Sequence, residues 1–297
     1  MAIKAIWEKH KSIIKFILKV VLTVLALWFV FQKLDFNEIL GTLKQIHLGY
    51  FFIAFLLYNL SKVISAYRLL LYYRTLGLQL AWWYHLRLYY LGMFYNLFLP
   101  GGIGGDGYKV IILKQVYPGK TRNLVSATLL DRISGLAALV FLGLGLGYFT
   151  PLMTVHVAIP PLTIIALIIL YPAFFIFNSS LFKSLLKVFV PTSVLSVGVQ
   201  GTQVIAGIFL LMALGVETNW LAYLALLLVA NAASVLPLTV GGFGLREFVF
   251  IHAYPLLDLD KNYAITFSML FFILTALSSL LGIIYSIRKE EPKLQTA

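Results

Sequence analysis

The sequence predicts an all-α membrane protein that crosses the bilayer several times. Of its 297 residues, 61% are hydrophobic and only 11% are charged, whereas a soluble domain has about 45–50% apolar and about 25% charged residues. Aromatic residues make up 15% of the chain and cysteine is absent, which excludes a disordered chain and a disulfide scaffold. Repeated apolar stretches, near the roughly 20 residues that a helix needs to cross the hydrocarbon core, complete the prediction.

The formal net charge of +12 would suggest a nucleic-acid partner in a soluble protein. In a membrane protein, Lys and Arg gather instead in cytoplasmic loops and orient the chain. We therefore expect no nucleic-acid partner. The histidines are scattered without the spacing of metal ligands, and no nucleotide-binding lysine loop is present, so we expect neither a metal nor another cofactor.

Six apolar stretches are predicted to be full spans, at 16–31, 48–67, 124–149, 157–177, 194–214 and 264–287. Two shorter stretches, 84–99 and 220–236, each end at a glycine-rich break, and another short stretch follows each break, at 108–117 and 248–257. Neither half is long enough to cross the membrane comfortably by itself. Each pair therefore predicts a re-entrant helical hairpin that enters and leaves on the same side.

The distribution of Lys and Arg predicts that both termini are cytoplasmic. With the N-terminus inside, most cations fall in predicted cytoplasmic segments, among them Arg68 and Arg74 after the second span, and few fall outside. No small-residue cleavage site follows the first apolar stretch, so we expect a retained span in the cell membrane rather than a signal peptide. Residues 1–19 predict a basic interfacial helix that leads into it.

The two glycine-rich breaks repeat one motif. Pro-x-x-Ile/Val-Gly-Gly-x-Gly-x-Lys/Arg runs from Pro100 to Lys109 and again from Pro237 to Arg246, 137 residues later. The flanking stretches follow similar offsets, so a single membrane domain, 1–297, contains span, span, hairpin and span in 1–150 and again in 151–290. Because each copy crosses three times, the second is predicted to be inverted, as in many transporters. Chance similarity of two glycine-rich loops is the alternative.

Proline and glycine at the breaks predict non-helical backbone at membrane depth. Proline lacks an N–H donor and glycine permits close backbone approach, and such backbone persists only where it is buried in protein or lines a wet cavity. A helix that restarts after Gly105 or Gly242 directs N–H groups and a positive dipole end into that cavity, which favours an anion. Lys109 and Arg246, at matching positions, add full positive charge.

Charges inside the predicted spans indicate a polar network. Asp131 and Arg132 lie about two turns into the 124–149 span, where an isolated charge costs about 2.5–3.5 kcal/mol on insertion scales. We expect a midplane network in which three carboxylates hold three cations: Asp106, Asp131 and Glu247 with Lys109, Arg132 and Arg246. The alternative is a set of buried ion pairs that only tie the hairpins to the bundle.

The candidate substrate-binding residues are therefore Asn96, Gly104, Gly105, Asp106, Lys109, Asp131, Arg132, Gly241, Gly242, Arg246 and Glu247, with Pro100 and Pro237 at the breaks. Lys62 either lines the same cavity or extends to the membrane interface. The aromatic residues at 82, 83, 89, 90 and 95 predict an interfacial belt rather than a ligand cage.

Four motifs occur in order along the chain: Asn96-x-x-x-Pro100, Gly105-Asp106-x-x-Lys109, Asp131-Arg132, and Pro237-x-x-x-Gly241-Gly242-x-Gly244-x-x-Glu247. Together they resemble the lysylphosphatidylglycerol synthase transmembrane-region family over nearly the whole chain. The resemblance implies eight membrane elements with re-entrant hairpins and a flippase-like role in moving or handling a phospholipid or another lipid-linked headgroup.

Two departures from the family pattern bear on this expectation. Lys109 stands where an arginine is usual and Asp131 where a glutamate is usual, so both keep their charge but weaken bidentate geometry. Few residues follow the last apolar stretch, so the cytosolic aminoacyl-transferase domain of some members is not expected here, nor is lysine transfer to lipid.

These features predict a flippase, not an enzyme, that moves a phospholipid or lipid-linked headgroup across the cytoplasmic membrane through a cationic midplane cavity. Two alternatives stay open: a membrane enzyme, or membrane subunit, in aminoacyl-lipid or lipid-linked glycan synthesis, and a transporter of a small anionic solute. The expected partner is the lipid itself. A homo-oligomer or a lipid-synthesising partner enzyme is also compatible with the sequence.

Overall fold

The computed structural model describes residue 41 and residues 46–98, 104–235 and 245–286. The predicted first span and the basic segment before it lie outside the described residues, as do Pro100, Pro237, Gly241 and Gly242. The helices are α1 (Leu48–Thr75), α2 (Trp82–Phe98), α3 (Gly104–Lys114), α4 (Thr121–Gly147), α5 (Ile159–Leu181), α6 (Phe189–Ala213), α7 (Trp220–Ser234), α8 (Leu245–Ala253), α9 (Lys261–Leu280) and α10 (Ile283–Ser286). Short 3₁₀ turns lie at Pro151–Thr154, Lys183–Val188 and Pro255–Leu257.

In the described ranges, five helices are long and apolar enough to cross a membrane: α1, α4, α5, α6 together with the 3₁₀ turn before it, and α9. Each coincides with a stretch that the sequence predicts as a full span. The prediction of an all-helical, multi-pass membrane protein is therefore confirmed for this part of the chain. The helices that precede the two breaks are shorter, with 17 residues in α2 and 15 in α7.

Helix α1 extends well past its predicted end. The sequence analysis placed Arg68 and Arg74 in a cytoplasmic loop, whereas α1 continues through both to Thr75. Arg68 is only 4% exposed. The loop assignment is wrong for Arg68 because the protein supplies buried hydrogen-bond partners that replace water around the guanidinium.

Glycines with positive φ end α1 and α6 in the same way. Gly77 has φ +85° and Gly215 has φ +70°, values that glycine adopts without the steric penalty of a side chain. The N–H of Leu78 donates to the carbonyl of Tyr73 over 3.0 Å, and the N–H of Val216 donates to that of Leu211 over 3.0 Å. This pattern is the Schellman C-cap, which satisfies carbonyls left over at a helix end.

Helices α1 and α6 pack against each other in opposite directions. At one end, the N–H of His47, just before α1, donates to the carbonyl of Ala213, the last residue of α6, over 3.0 Å. Towards the other end, Arg68 Nη1 donates to Ser196 Oγ over 2.9 Å. Because the start of one helix meets the end of the other, the pair is antiparallel.

Two apolar clusters lie on either side of the middle of α1. One contains Tyr58 with residues of α6, α7, α8 and α9. The other contains Leu69 and Tyr73 with residues of α2, α3 and α4. Between them, α1 carries the buried polar residues Ser61 and Ser65, which mark the level at which a polar cavity interrupts the apolar core.

Candidate functional site

The first hairpin is built on close backbone contact between α2 and α3. A Cβ at Gly105 would overlap the carbonyl oxygen of Gly92, so only glycine permits this approach. Asn96 Oδ1 accepts a hydrogen bond from the N–H of Gly105 over 2.8 Å and so satisfies a backbone donor of the first turn of α3, which begins at Gly104. At this helix start, a side chain of the protein already uses one of the N–H groups that the sequence analysis offered to a ligand.

Asp106 connects two cations of the site. Its carboxylate pairs with Lys109 Nζ over 2.7 Å and with Arg132 Nε. Asp106 also lies in the first turn of α3, where the helix dipole favours negative charge. Asp106 is 7% exposed and Lys109 is 4% exposed, so the contact joins α3 to α4 inside the protein.

Lys109 is held from two further sides. The Nζ atom lies 4.7 Å from the ring centroid of Tyr89, a cation–π distance. Its Cε lies 3.0 Å from the position that a Cβ at Gly92 would occupy, so Gly92 admits the lysine stem as well as the backbone of α3. The prediction that Tyr89 belongs to an interfacial belt is wrong, because its ring faces a buried cation.

The buried carboxylate of Asp131 pairs with a residue that the sequence analysis did not select. Arg68 Nε donates to Asp131 Oδ1 over 2.7 Å, and both side chains are buried. Hydrophobic periodicity could have identified Arg68, since Ser61, Ser65, Arg68 and Tyr72 recur at three- and four-residue intervals on one face of α1.

Arg246 and Glu247 lie on α8 in a separate cluster. Arg246 Nε donates to Asn231 Oδ1 over 3.1 Å, and its guanidinium lies 5.3 Å from the ring centroid of Phe271. Glu247 accepts a hydrogen bond from Ser268 Oγ over 3.3 Å. The described contacts thus tie these two residues to α7 and α9, whereas Asp106 and Asp131 pair with cations of α1, α3 and α4. The single six-residue network that the sequence suggested is divided into two groups.

A cavity of about 250 Å³ lies where these helices meet. Its charged lining consists of four cations and two carboxylates: Lys62, Arg68, Lys109, Arg132, Asp106 and Asp131. Its other lining residues are Ser65, Tyr89, Met93, Asn96, Gly135, Leu136, Leu139, Val199, Gln200, Gln203 and Val235. We call this space the central cavity. Most of the first-repeat candidates reach it, and Arg246 and Glu247 do not line it.

Lys62 and two glutamines complete the polar surface of the central cavity. Lys62 Nζ lies 4.3 Å from the ring centroid of Tyr58, and no carboxylate in the described residues forms an ion pair with it. Of its two predicted positions, the structure supports the cavity lining. Gln200 and Gln203 on α6 did not stand out in the sequence, because neutral amides leave no charge signal. Within the described ranges, no three His, Asp or Glu side chains come close enough to hold a metal ion.

The fold and the cavity define a class: a multi-pass helical membrane protein with buried charges around an internal polar space. The family model of the lysylphosphatidylglycerol synthase transmembrane region matches residues 16–282. The chain therefore belongs to that family, as its motifs indicated. No curated protein matches the chain.

Proposed function

We propose that this protein translocates a lipid headgroup through the central cavity while the acyl chains remain in the bilayer. The observation that carries the proposal is the charge imbalance of the lining, with four cations against two carboxylates. Surplus charge in a buried space is unfavourable until a counter-charge enters. The phosphate of a phospholipid or lipid-linked headgroup supplies that charge.

The volume of the central cavity supports a headgroup rather than a whole lipid. About 250 Å³ is at or below the lower end of the roughly 300–1,000 Å³ typical of small-molecule sites. Two acyl chains would not fit in addition to the phosphate. They would instead remain against the apolar outer faces of the helices, several of which carry exposed large aliphatic side chains.

An internal repeat supports alternating access. The helix before each break starts at a tryptophan, Trp82 in α2 and Trp220 in α7, 138 residues apart. The glycines that end α1 and α6, Gly77 and Gly215, are also 138 residues apart. We infer that α1 to α4 and α6 to α9 contain equivalent elements.

Two observations support an inverted relation between these copies. The equivalent helices α1 and α6 are antiparallel neighbours. Reciprocal glycine contacts also occur, since a Cβ at Gly143 would lie 3.6 Å from Leu228 on α7, and a Cβ at Gly282 would overlap the backbone of Tyr90 on α2. Adding the 137-residue offset to Tyr90 and subtracting it from Gly282 gives 227 and 145, within two residues of the other pair. Such a relation allows the copies to rock about a shared site.

The ends of the helices differ in charge, which supports a membrane orientation. The α3–α4 connection and the 3₁₀ turn before α6 meet around Lys120, Arg122 and Ser184, and the described acidic residues lie elsewhere. At the other end, Asn219 donates to the carbonyl of Asp258 over 3.1 Å, with Glu217 and Asp260 nearby in sequence. We propose that the cationic end is cytoplasmic. Since α9 starts at the acidic end, the C-terminus follows on the cytoplasmic side.

Reconstitution into vesicles tests the proposal. The purified protein is expected to carry fluorescent acyl-labelled phosphatidylglycerol between leaflets, measured as the fraction of label that an impermeant quencher bleaches with time. Arg132→Gln is expected to slow this movement at least tenfold, because it removes one cavity cation. Lys187→Gln, an exposed cation outside the cavity, is the matched control. Equal rates in protein-containing and empty vesicles would refute the proposal.

The small volume of the central cavity also favours a second candidate, a transporter of a small soluble anion. Uptake of radiolabelled phosphate into the same vesicles, with no movement of labelled lipid, would support it. Our proposal involves transport without chemical conversion. Appearance of a new lipid species on thin-layer chromatography would instead favour the membrane enzyme.

A further inference from the structure

Helix α6 places two amide side chains against the central cavity. Gln200 and Gln203 are one turn apart on the same face of α6. They are 5% and 6% exposed and both line the cavity. Burying an amide without hydrogen bonds is unfavourable, so two such groups in an otherwise apolar helix indicate a ligand that pairs with them.

The neighbours of Gln200 define which of its atoms faces a ligand. Its Nε2 lies 3.5 Å from the carbonyl oxygen of Gly135 on α4. Because a carbonyl oxygen can only accept, the amide nitrogen must be on that side, which assigns the other amide atom as oxygen. Oε1 is buried and meets no donor in the described residues. Gln200 therefore offers the cavity a hydrogen-bond acceptor.

Gln203 offers the cavity a second amide. Across the described ranges it has no protein hydrogen-bond partner, although it is 94% buried by the same measure of exposure. The cations that would hold a phosphate come from other helices, with Lys62 and Arg68 on α1 and Arg132 on α4. One cavity thus combines a cationic part, supplied by α1, α3 and α4, with an acceptor-bearing part supplied by α6.

We infer that the transported headgroup carries an O–H or N–H donor in addition to its phosphate, and that Gln200 and Gln203 are the residues that select for it. This inference rests on the proposed function. A glycerol or ethanolamine headgroup donates to the amide oxygens while its phosphate meets the cations. A choline headgroup has only methyl groups at that position and leaves Gln200 Oε1 unpaired. A buried acceptor without a donor is disfavoured by about tenfold or more in binding.

The test compares three lipids that carry the same fluorescent acyl chain and differ only in headgroup. In vesicles with the full chain, phosphatidylglycerol and phosphatidylethanolamine are expected to move about tenfold faster than phosphatidylcholine. Gln200→Leu and Gln203→Leu are expected to bring the ratio of rates close to one. Thr202→Val is the matched control, since this hydroxyl on the same helix bonds to Gly198 of its own chain turn over 2.7 Å and lies outside the cavity.

A near-isosteric variant keeps the test independent of folding. Gln203→Glu is expected to favour phosphatidylethanolamine over phosphatidylglycerol, because a carboxylate attracts the ammonium group and repels extra negative charge. Equal movement of all three lipids by the parent protein would overturn this inference and leave the proposed function standing. Failure of the parent to move any lipid would refute the proposed function itself. A uniform loss in the glutamine variants, with an unchanged ratio of rates, would also overturn the inference.

Discussion

Arg68 on α1 and Asp131 on α4 form a buried ion pair, with 2.7 Å between Nε and Oδ1. Arg68 also donates to Ser196 on α6. One guanidinium thus links two helices of the first copy to one helix of the second. A group in this position senses any displacement of α6 relative to α1 and α4.

Removing one member of this pair is expected to destabilise the protein. Asp131→Asn leaves the Arg68 guanidinium buried without its counter-charge, and breaking a buried pair in this way costs about 3–5 kcal/mol. We expect a clearly lower melting temperature in detergent and loss of lipid movement. The double variant Arg68→Leu/Asp131→Leu is expected to recover stability but not transport. Recovery of both would mean that the pair serves the fold alone.

Asp106→Asn is expected to change transport in a different way. The variant keeps the shape of the side chain but leaves Lys109 and Arg132 without their shared carboxylate, so the central cavity becomes more positive. Tighter phosphate binding with slower release follows, which lowers both KM and kcat for lipid movement. The measurement is the dependence of the initial rate on the mole fraction of labelled lipid. Glu217→Gln, at an exposed carboxylate, should leave both constants unchanged, and a raised KM in Asp106→Asn would contradict this account.

Two glycines of α3 provide a matched pair of substitutions. Gly105→Ala places a Cβ into the backbone of Gly92, and such overpacking costs about 1–3 kcal/mol or more. Gly107→Ala meets nothing within 4 Å and gains helix propensity, by about 1 kcal/mol. We expect a lower melting temperature for the first variant and an unchanged or higher one for the second. Equal melting temperatures would show that α2 and α3 are not in close backbone contact.

The antiparallel packing of α1 and α6 can be tested with cysteines, because the chain has none of its own. The backbones of His47 and Ala213 are joined by a hydrogen bond of 3.0 Å, which brings their Cα atoms near the usual disulfide range of about 4.4–6.8 Å. His47→Cys/Ala213→Cys is expected to form a disulfide under mild oxidation, read as a mobility shift on a non-reducing gel. His47→Cys/Ser196→Cys, with the second cysteine near the opposite end of α6, should not. The reverse pattern would indicate parallel helices.

Apolar length was enough to predict the helices, and charge at membrane depth was enough to select Asp106, Lys109, Asp131 and Arg132. These features are local in sequence, since a helix that crosses lipid must satisfy its backbone internally. Asp106 and Lys109 are also three residues apart on one helix, a spacing that brings side chains together.

Pairing between distant helices could not be read from the sequence in the same way. Arg68 lies just beyond an apolar run, where a loop cation is the usual interpretation, and only the approach of Asp131 from α4 explains its burial. Gln200 and Gln203 carry no charge, so hydropathy gave no reason to separate them from their apolar neighbours. Arg246 and Glu247 were selected correctly as buried charges, but their partners on α7 and α9 depend on packing.

The fit between Gly92 and Gly105 has a mechanical consequence. With their main chains in contact and the Lys109 stem lying across the same spot, α2 and α3 cannot slide or separate without losing that fit. They must therefore travel as one stiff lever. Opening of the protein towards either leaflet then falls to the α1–α6 boundary, where a single hydroxyl, that of Ser196, can exchange its bond to Arg68 for one to water.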